Sequence, residues 1–321
     1  MGWGLMTAQV SVVIACYDAN DTLGLQLEAL AHQEGAPAFE VLVVDNNSPE
    51  APDAVVSGWS DVLDIRVVRA SEHQGVAYAR NVGVSRSAAD RIIFCDADDC
   101  AGPRFVQAAA SALEAAPFVT GGVHTVNGRS FASGRPAVWK ELSRLSATPA
   151  PRDVVRDAYP VFMGGASAVE RAAFMEVGGF DQGYVPGAED NDLGLRVLAQ
   201  GFTLLRVPDM TLAERPRANA TGAFRRSFDG GRMHMRLCAG HDLWSVSPHL
   251  HDPEWWRDLL RLPGALVTTA IRDRSASGRR GLASRAGLRL GQFVGFVEYR
   301  IVGRPVGQDR GLGLSDAPTS Q

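Results

Sequence analysis

The chain has 321 residues, of which 45% are hydrophobic and 21% are charged, a composition typical of an ordinary globular protein. Its formal net charge of −4 gives no general attraction to nucleic acid, so we expect no nucleic-acid partner. No apolar run approaches about 20 residues, and the first residues lack a basic region before an apolar one, so we expect neither a spanning helix nor a signal peptide. The four cysteines show no metal-type spacing, which favours reduced, buried thiols in a cytoplasmic protein.

The N-terminal half alternates short apolar segments with segments of helical periodicity. Predicted strands cover residues 10–17, 39–44, 65–69 and 91–95. Predicted helices cover residues 19–33, 51–59, 75–87 and 103–115. The strand segments are nearly continuous in apolar residues, which is typical of strands buried on both faces. Their alternation with helices predicts a parallel sheet with right-handed crossovers, and Asn20 or Asp21 is expected to cap the first helix.

Polar clusters follow three of the predicted strands. These clusters are Tyr17-Asp18, Asp45-Asn46-Asn47 and Asp96-Ala97-Asp98-Asp99. Because ligands of open α/β sheets bind at the carboxyl ends of the strands, the clusters predict a single site at that edge. No G-x-G-x-x-G motif follows the first strand, which argues against a dinucleotide-binding fold of the usual type.

The second half is less regular. Residues 124–150 are rich in small and polar side chains, which predicts a long excursion. The elements predicted beyond it are a helix over residues 192–200, ended by Gly201, and a strand over residues 203–207. Between residues 255 and 310, 11 arginines stand against four acidic residues. The last segment, residues 311–321, is expected to be a disordered tail.

The acidic cluster after the fourth predicted strand is the first candidate for chemistry. Asp96, Asp98 and Asp99 would repel one another unless a cation neutralised them. Oxygen ligands suit Mg²⁺ or Mn²⁺, and Mg²⁺ commonly takes one or two carboxylates and completes its shell with phosphate and water. A solvated acidic turn that caps the following helix is the structural alternative.

Three other segments are candidates, each with a structural alternative. Asp45 could accept hydrogen bonds from a ribose or a base, or it could form an Asx turn. Gly75 precedes a predicted helix whose free N–H groups favour anions, and Arg80 lies one turn further on, where it could also be an ordinary surface arginine. Glu189 and Asp190 could supply a general base, although helix starts favour acidic residues whatever their function.

Taken in order, these segments resemble the family 2 glycosyltransferases of the GT-A fold, over roughly residues 8–245. The matching stretches are VSVVIACYDANDTL, EVLVVDNNS, HQGVAYARNVGVSRSAADRIIFCDADD and AVERAAFMEVGGFDQGYVPGAEDNDLGLRVLAQGF. The implied fold is a single Rossmann-like, mostly parallel central sheet flanked by helices, followed by a helical C-terminal extension. Gln182 stands where the family's GGFDE-like stretch has an acid, and we expect this departure to affect the acceptor side.

The resemblance also implies a role for each candidate residue. The residues expected to contact the nucleotide or its diphosphate are Ala15, Tyr17, Asp45, Gln74, Gly75, Arg80, Asp96 and Ala97. The expected metal ligands are Asp98, Asp96, Asp99 and His234. Among the carboxylates, Asp98 is the first choice for Mn²⁺ or Mg²⁺, and the base is expected to be Asp190 rather than Glu189. His234, like His241, has a core or surface role as its alternative, and His249 and His251 have ligand-like spacing but no evident partner.

The implied activity is transfer of one sugar from a nucleoside diphosphate sugar, with UDP as the first guess, to an acceptor hydroxyl. The acceptor, whether glycan, lipid-linked molecule or small molecule, is not specified. Most members of the family invert the anomeric carbon, and the spanning helices and QxxRW-like motif of its processive synthases are missing here. A nucleotidyltransferase and a non-catalytic nucleotide-sugar-binding module are the competing hypotheses.

The predicted domain organisation places the glycosyltransferase domain at residues 1–245. It divides into a nucleotide-sugar-binding half, residues 8–123, and an acceptor half, residues 124–245. The basic extension, residues 246–310, contains two segments, 255–272 and 283–301, that mix arginines with apolar side chains. Such segments could lie on an anionic membrane surface at the inner face, pack on the catalytic domain or form a homodimer.

Overall fold

The computed structural model describes residues 8–146, 151–216, 219–247 and 275–314, together with residues 250, 257, 260, 261 and 264. The strands are β1 (Val10–Cys16), β2 (Phe39–Asp45), β3 (Asp64–Arg69), β4 (Arg91–Asp96), β5 (Cys100–Ala101), β6 (Phe118–Thr125), β7 (Asp153–Val154), β8 (Ala166–Glu170) and β9 (Leu204–Glu214). The helices are α1 (Asn20–Ala31), α2 (Asp53–Ser57), α3 (Val76–Arg86), α4 (Phe105–Ala112), α5 (Gly128–Ala132), α6 (Arg135–Leu145), α7 (Arg171–Glu176), α8 (Glu189–Ala199), α9 (Ala220–His241) and α10 (Ala276–Phe296). A short 3₁₀ turn, Gln182–Tyr184, precedes α8, and a π-helical turn, Val297–Ile301, follows α10.

Within the described part of the chain, the strands form one sheet in the order β3-β2-β1-β4-β8-β6-β9-β5, with β7 paired to β9. The first four strands of that order are parallel, whereas β8 runs antiparallel to both β4 and β6. The predicted central sheet flanked by helices, with a C-terminal helix after it, is therefore confirmed.

In the parallel half of the sheet, β1, β2 and β4 are buried on both faces, as their apolar sequences predicted, whereas the edge strand β3 is partly exposed. Val12 and Ile14 of β1 pack with α1 and α4 on one face, and Val13 packs with α3 on the other. All three side chains are fully buried. Because β1 and β4 pair in parallel, the turns that follow them open at the same edge of the sheet.

Several predicted boundaries were wrong. Helix α1 is capped by neither Asn20 nor Asp21, because its N-cap is Ala19 and the Asn20 side chain instead donates to the Glu50 carbonyl at 3.3 Å. Helix α8 begins at Glu189, three residues before the predicted start, with acidic residues in its first turn where the helix dipole favours them. Strand β9 continues to Glu214, beyond the predicted end at residue 207.

The C-terminal helix α10 packs along α9. Glycines allow the two backbones to approach closely, since a Cβ on Gly287 or Gly291 would overlap the carbonyl of Phe224 or Phe228 respectively. Leu290 and Phe293 of α10 are exposed. Most of the predicted segment 255–272 lies outside the described residues.

The predicted tail begins too early. Residues 311–314 pack against α3, where Asn81 Nδ2 donates to the Leu312 carbonyl at 2.9 Å and Ser85 Oγ donates to the Gly313 carbonyl at 3.0 Å. Residues 315–321 lie outside the part of the chain that the structure describes.

Candidate active site

The carboxyl ends of β1, β2 and β4 border a cleft of about 790 Å³. The predicted residues that line it are Ala15, Tyr17, Gln74, Gly75, Arg80, Asp96, Ala97, Asp98 and Glu189. Tyr17 is 52% exposed at the mouth of the cleft, where its ring is free to stack on a planar group. The cleft thus gathers most of the residues that were assigned to nucleotide binding.

Asp45 is the exception among these predicted contacts. Its carboxylate accepts from Arg69 Nη1 at 2.7 Å and from the Ser48 N–H at 3.1 Å, and it is buried beside the cleft. The next residue, Asn46, lines the cleft instead, and its Oδ1 accepts from the Gly75 N–H at 2.6 Å. Asp45 thus bonds its own following loop, as the structural alternative expected, although the N–H that it accepts from is three residues on rather than the two of an Asx turn.

Gly75 holds a conformation that favours glycine, with φ of +149°. A Cβ at this position would overlap the side-chain amide of Gln182. That amide donates from Nε2 to the Gln74 carbonyl at 2.8 Å, and its Oε1 accepts from the Tyr78 N–H at 3.0 Å. Gln182 therefore fixes the start of α3 beside the cleft, and its expected effect on the acceptor side stays a prediction.

Arg80 crosses from α3 to the second half of the chain. Its buried guanidinium donates to Asp96 Oδ1 at 2.8 Å and to Glu189 Oε1 at 3.4 Å. Although burial opposes the charge, Asp96 and Glu189 raise the pKa of Arg80, so the cation is permanent. The alternative of an ordinary surface arginine is excluded, and Arg80 instead holds carboxylates from two distant segments together.

Asp96, Asp98 and Asp99 surround a smaller cavity of about 300 Å³ that adjoins the cleft. Burial, together with the charges of Asp96 and Asp98, raises the pKa of Asp99 to about 8. This crowding of like charges is the situation that a bound cation relieves.

The carboxylate oxygens of the acidic cluster suit a hard divalent cation that takes its other ligands from a substrate. Among the described residues, no three His, Cys, Asp or Glu side chains are arranged to enclose a metal ion by themselves. Mg²⁺ and Mn²⁺ sites that use one or two carboxylates take their remaining oxygens from phosphate and water. Asp98 and Asp96 are the residues that would hold such an ion.

Asp190 lines the same small cavity as Asp98, although 92 residues separate them in the sequence. Its Oδ1 accepts from the Asn191 N–H at 2.7 Å, and its Oδ2 accepts from the Gly164 N–H at 3.3 Å. Burial and the neighbouring Glu189 raise the pKa of Asp190 to about 7, against the opposing charge of Arg80. A carboxylate whose pKa lies near neutrality is suited to accepting a proton during catalysis.

The structure does not place the candidate histidines with the acidic cluster. His234 is buried, with Nδ1 at 3.0 Å from Tyr159 Oη and Nε2 at 2.6 Å from Ser247 Oγ. His241 Nε2 lies 2.8 Å from Asp192 Oδ1. The prediction of His234 as a metal ligand is corrected on this geometry, because both ring nitrogens already have partners within a core cluster. His249 and His251 lie outside the described residues.

Sequence reasoning missed several residues of the site. Gly164 and Gly165 lie directly against the ion pair, since a Cβ on the first would meet Arg80 and one on the second would overlap Asp96 Oδ2. Arg215 and Arg226 also line the cleft. The glycine-rich composition around residue 164 was a usable signal, but nothing in the local sequence distinguishes the two arginines from others.

Residues 11–178, just over half of the chain, match the model described as glycosyl transferase family 2. The chain belongs to glycosyltransferase family 2. A second model, described as the N-terminal domain of galactosyltransferase, matches residues 151–219 and so includes Asp190 of this glycosyltransferase.

Relatives of this family 2 glycosyltransferase carry names of the same kind. The chain is 28% identical over 200 residues to the uncharacterized glycosyltransferase YwdF of Bacillus subtilis (strain 168), covering 62% of this chain and 71% of the relative. It is 26% identical over 201 residues to an uncharacterized glycosyltransferase of Haemophilus influenzae, covering 62% of this chain and 65% of the relative. The chain therefore spans about two thirds of the length of these two relatives.

Solved structures share the fold at low sequence identity. A mannosyltransferase from Pyrobaculum calidifontis, PcManGT, in complex with GDP-Man and Mn²⁺, superposes with a TM-score of 0.60 and 18% identity over 92% of this chain and 87% of its own. The S. aureus protein TarS, residues 1–349 with UDP, gives a TM-score of 0.54 and 17% identity over 92% of both chains. These likenesses confirm the GT-A fold of this glycosyltransferase. Within its described residues, no helix has the length and apolar character needed to span a membrane.

Proposed function

We propose that this glycosyltransferase transfers a single sugar from a nucleoside diphosphate sugar to an acceptor hydroxyl, with inversion and with Mn²⁺ or Mg²⁺. The observation that carries the proposal is that Asp98 and Asp190, from segments far apart in the chain, line one small cavity beside the cleft. A cation-binding carboxylate and a proton acceptor in one cavity are what transfer from a diphosphate leaving group requires.

In the proposed reaction, Asp190 takes the proton of the acceptor hydroxyl while the oxygen of that hydroxyl bonds to the anomeric carbon. The bond from that carbon to the diphosphate oxygen breaks in the same in-line displacement, which inverts the configuration. Glu189 is less available as the base, because its carboxylate is engaged by Arg80 and by the Gly187 N–H at 3.1 Å. When bound, the metal ion would supply Lewis-acid stabilisation of the negative charge on the leaving diphosphate.

Residues of the first half hold the donor in this scheme. The start of α3 borders the cleft where a diphosphate would lie, and Asn46 and Gln182 fix its backbone by accepting from the N–H groups of Gly75 and Tyr78. Arg80 orients Asp96 through its hydrogen bond to Oδ1, so that this carboxylate of the acidic cluster is fixed before a substrate binds. The exposed ring of Tyr17 at the cleft mouth is suited to stacking on the base.

The nucleotide base is the least constrained part of the donor. UDP is our first choice, but the structural neighbours are seen with both GDP-Man and UDP. UDP, GDP and other nucleoside diphosphates, each titrated with Mn²⁺ and with EDTA, would identify the base by calorimetry or thermal shift.

The metal assignment is tested with the variant Asp98→Asn. Asp61→Asn is its control, since Asp61 is exposed and does not line the cleft. We expect Asp98→Asn to lose at least about tenfold in Mn²⁺-dependent nucleotide affinity, which corresponds to about 1.4 kcal/mol, and Asp61→Asn to bind as the wild type does. Identical titrations in wild type and Asp98→Asn, with and without Mn²⁺, would refute the metal assignment. Nucleotide binding without any sugar release would instead favour the non-catalytic binding module.

A further inference from the structure

The segment that follows the π-helical turn, residues 303–314, runs beside the 3₁₀ turn before α8 and ends against α3. In this C-terminal segment, Arg310 forms an antiparallel bridge with Asp181. Farther along, Leu312 and Leu314 pack with apolar residues of α3 in one core cluster. The C-terminal segment therefore joins the 3₁₀ turn to the helix whose start borders the cleft.

Asp181 is a fully buried carboxylate that the C-terminal segment helps to compensate. Its Oδ1 accepts from the N–H groups of Gly183 and Asp309, both at 2.8 Å. Its Oδ2 has no hydrogen-bond partner among the described residues, but it lies 3.7 Å from Arg310 Nε. Because a buried charge is costly unless it is paired, Asp309 and Arg310 stabilise Asp181 in this position.

The next residue, Gln182, connects this contact to the edge of the cleft. Its backbone N–H donates to the Asp309 carbonyl at 3.1 Å. Its side chain bonds the Gln74 carbonyl and the Tyr78 N–H, on either side of Gly75. Gln74 and Gly75 line the cleft. Consecutive hydrogen bonds thus lead from the C-terminal segment to the backbone at the cleft.

Helix α3 provides a second connection, which is independent of the 3₁₀ turn. Asn81 is fully buried, and its Nδ2 donates to the Leu312 carbonyl at 2.9 Å. One turn later, Ser85 Oγ donates to the Gly313 carbonyl at 3.0 Å. Asn81 directly follows Arg80, whose guanidinium pairs with two carboxylates of the site. The C-terminal segment therefore holds α3 at the turn that carries Arg80.

We propose that the C-terminal segment is a positioning element for nucleotide binding. It holds α3 and the 3₁₀ turn together, so that the backbone of residues 74–78 is ordered at the cleft before a ligand arrives, which lowers the entropic cost of binding. None of residues 303–314, all of which the structure describes, lines the cleft, so the segment acts through other residues. This inference rests on the proposed function, because a nucleotide is the ligand proposed for that cleft.

Two glycine variants of the full chain test this inference as a matched pair. Gly313 and Gly303 both have positive φ, of +87° and +70°, so alanine introduces backbone strain at either position. A Cβ on Gly313 would overlap Val82 and press on the Tyr78 ring, whereas one on Gly303 meets nothing within 4 Å. We expect Gly313→Ala to weaken Mn²⁺-dependent binding of UDP or GDP about three- to tenfold, and Gly303→Ala to stay within about twofold of the wild type. Calorimetric titration measures both.

A second pair tests the connection through Asp181. Arg310→Gln removes the cation beside Asp181, whereas Arg304→Gln removes one that pairs at 3.5 Å with Glu298 of the π-helical turn. We expect nucleotide binding to weaken about two- to fivefold in Arg310→Gln and to be unchanged in Arg304→Gln. In the variants that bind weakly, the KM for the donor should rise while kcat at saturating donor stays unchanged, because the C-terminal segment does not reach the cavity that contains Asp190.

Three outcomes would overturn the inference. Lower thermal stability with wild-type nucleotide affinity in Gly313→Ala and Arg310→Gln would show that the segment only stabilises the fold. A lower kcat with an unchanged KM would place its effect on the chemical step. If the wild type binds no nucleoside diphosphate, the proposed function fails, and amide hydrogen exchange then decides on the segment. The Tyr78 N–H should exchange faster in Gly313→Ala than in Gly303→Ala, and equal exchange is the third contrary outcome.

Discussion

The two halves of the sheet contribute different things to the site. Residues 8–123 build the parallel strands β1 to β4, and they place the start of α3, the amide of Asn46 and the acidic cluster along one edge. Residues 124–314 contribute individual charged side chains: Asp190 from α8, Arg215 after β9 and Arg226 from α9. The first half is therefore suited to holding a ligand, and the second half is suited to reacting with it.

Contacts across the seam between the halves prevent this division from being complete. Arg80 of the first half pairs with Glu189 of the second, and Gly165 of the second lies against Asp96 of the first. Gln182, also of the second half, fixes the backbone at Gln74. Substitutions in either half should therefore show whether catalysis and nucleotide binding each depend on one half or on both.

The largest expected effect comes from Asp190→Asn, which removes the proton acceptor but keeps the side-chain shape. We expect donor hydrolysis or transfer to fall at least about 100-fold, because general base catalysis typically contributes factors of 10² to 10⁴. Mn²⁺-dependent nucleotide affinity should change by no more than about twofold. Product release measured beside calorimetric titration separates the two, with Asp61→Asn as the remote control. Full activity in Asp190→Asn would remove it as the base, and a parallel loss of binding would show that the halves are not separable.

The parallel half of the fold was predictable from sequence because its information is local. Continuous apolar strands such as Val10–Cys16 alternate with helical periodicity, and the order of the segments then fixes the sheet. The rest of the sheet depends on pairing between distant segments, and its strands β6 and β8 escaped prediction. Gly121 and Gly122 interrupt the apolar pattern of β6, yet a Cβ on Gly121 would meet the Met210 carbonyl, so close packing on β9 requires glycine there.

The site was predictable to a similar extent. Runs of acidic residues indicated Asp98 and Asp190 as candidates, since such a run beside a strand end or a helix start is visible in the sequence. Whether Asp45 or Asn46 faces the cleft depends on Arg69, whose partner is set by the register of β2 and β3. Arg215 stands next to Asp98 only because β9 extends to Glu214, a length that the sequence pattern did not indicate.

A pH profile would sharpen the assignment of Asp190. Because its pKa is raised to about 7, the carboxyl is mostly protonated below that pH and cannot accept a proton. At saturating donor and metal, kcat should therefore rise about tenfold per pH unit up to roughly pH 7 and then level off. Saturation matters because the pKa of Asp99 is also raised, so metal affinity will vary with pH as well. A kcat that is constant between about pH 5.5 and 7.5 would contradict this role.

Gly165→Ala tests whether a residue of the second half supports nucleotide binding by the first half. Its Cβ would overlap Asp96 Oδ2, so the carboxylate or the strand must shift. Overpacking of this kind typically costs about 1–3 kcal/mol, and we expect Mn²⁺-dependent nucleotide affinity to fall about tenfold. Gly24→Ala is the matched control, because a Cβ on Gly24 of α1 meets nothing within 4 Å. Calorimetric titration checks both variants, and unchanged affinity in Gly165→Ala would mean that Asp96 does not hold the metal ion.

The smallest expected effect comes from Gln182→Glu, which restores the acid found in the family's usual stretch. A carboxylate still accepts from the Tyr78 N–H, but it loses the donation to the Gln74 carbonyl and places a negative charge near the expected diphosphate. Loss of one hydrogen bond is worth about 0.5–1.5 kcal/mol, so nucleotide affinity should weaken about two- to tenfold while kcat stays unchanged.

Gln33→Glu is a close control for that change. Gln33 likewise bridges two backbone segments, donating to the Gly102 carbonyl at 2.8 Å and accepting from the Val106 N–H at 2.9 Å, but it lies outside the cleft. Both variants should lose similar thermal stability, and only Gln182→Glu should lose nucleotide affinity. If Gln182→Glu instead changes kcat and spares nucleotide binding, the residue acts on the acceptor side, as the sequence first suggested. The contacts between the halves would then orient the acceptor rather than support the backbone at Gln74 and Tyr78.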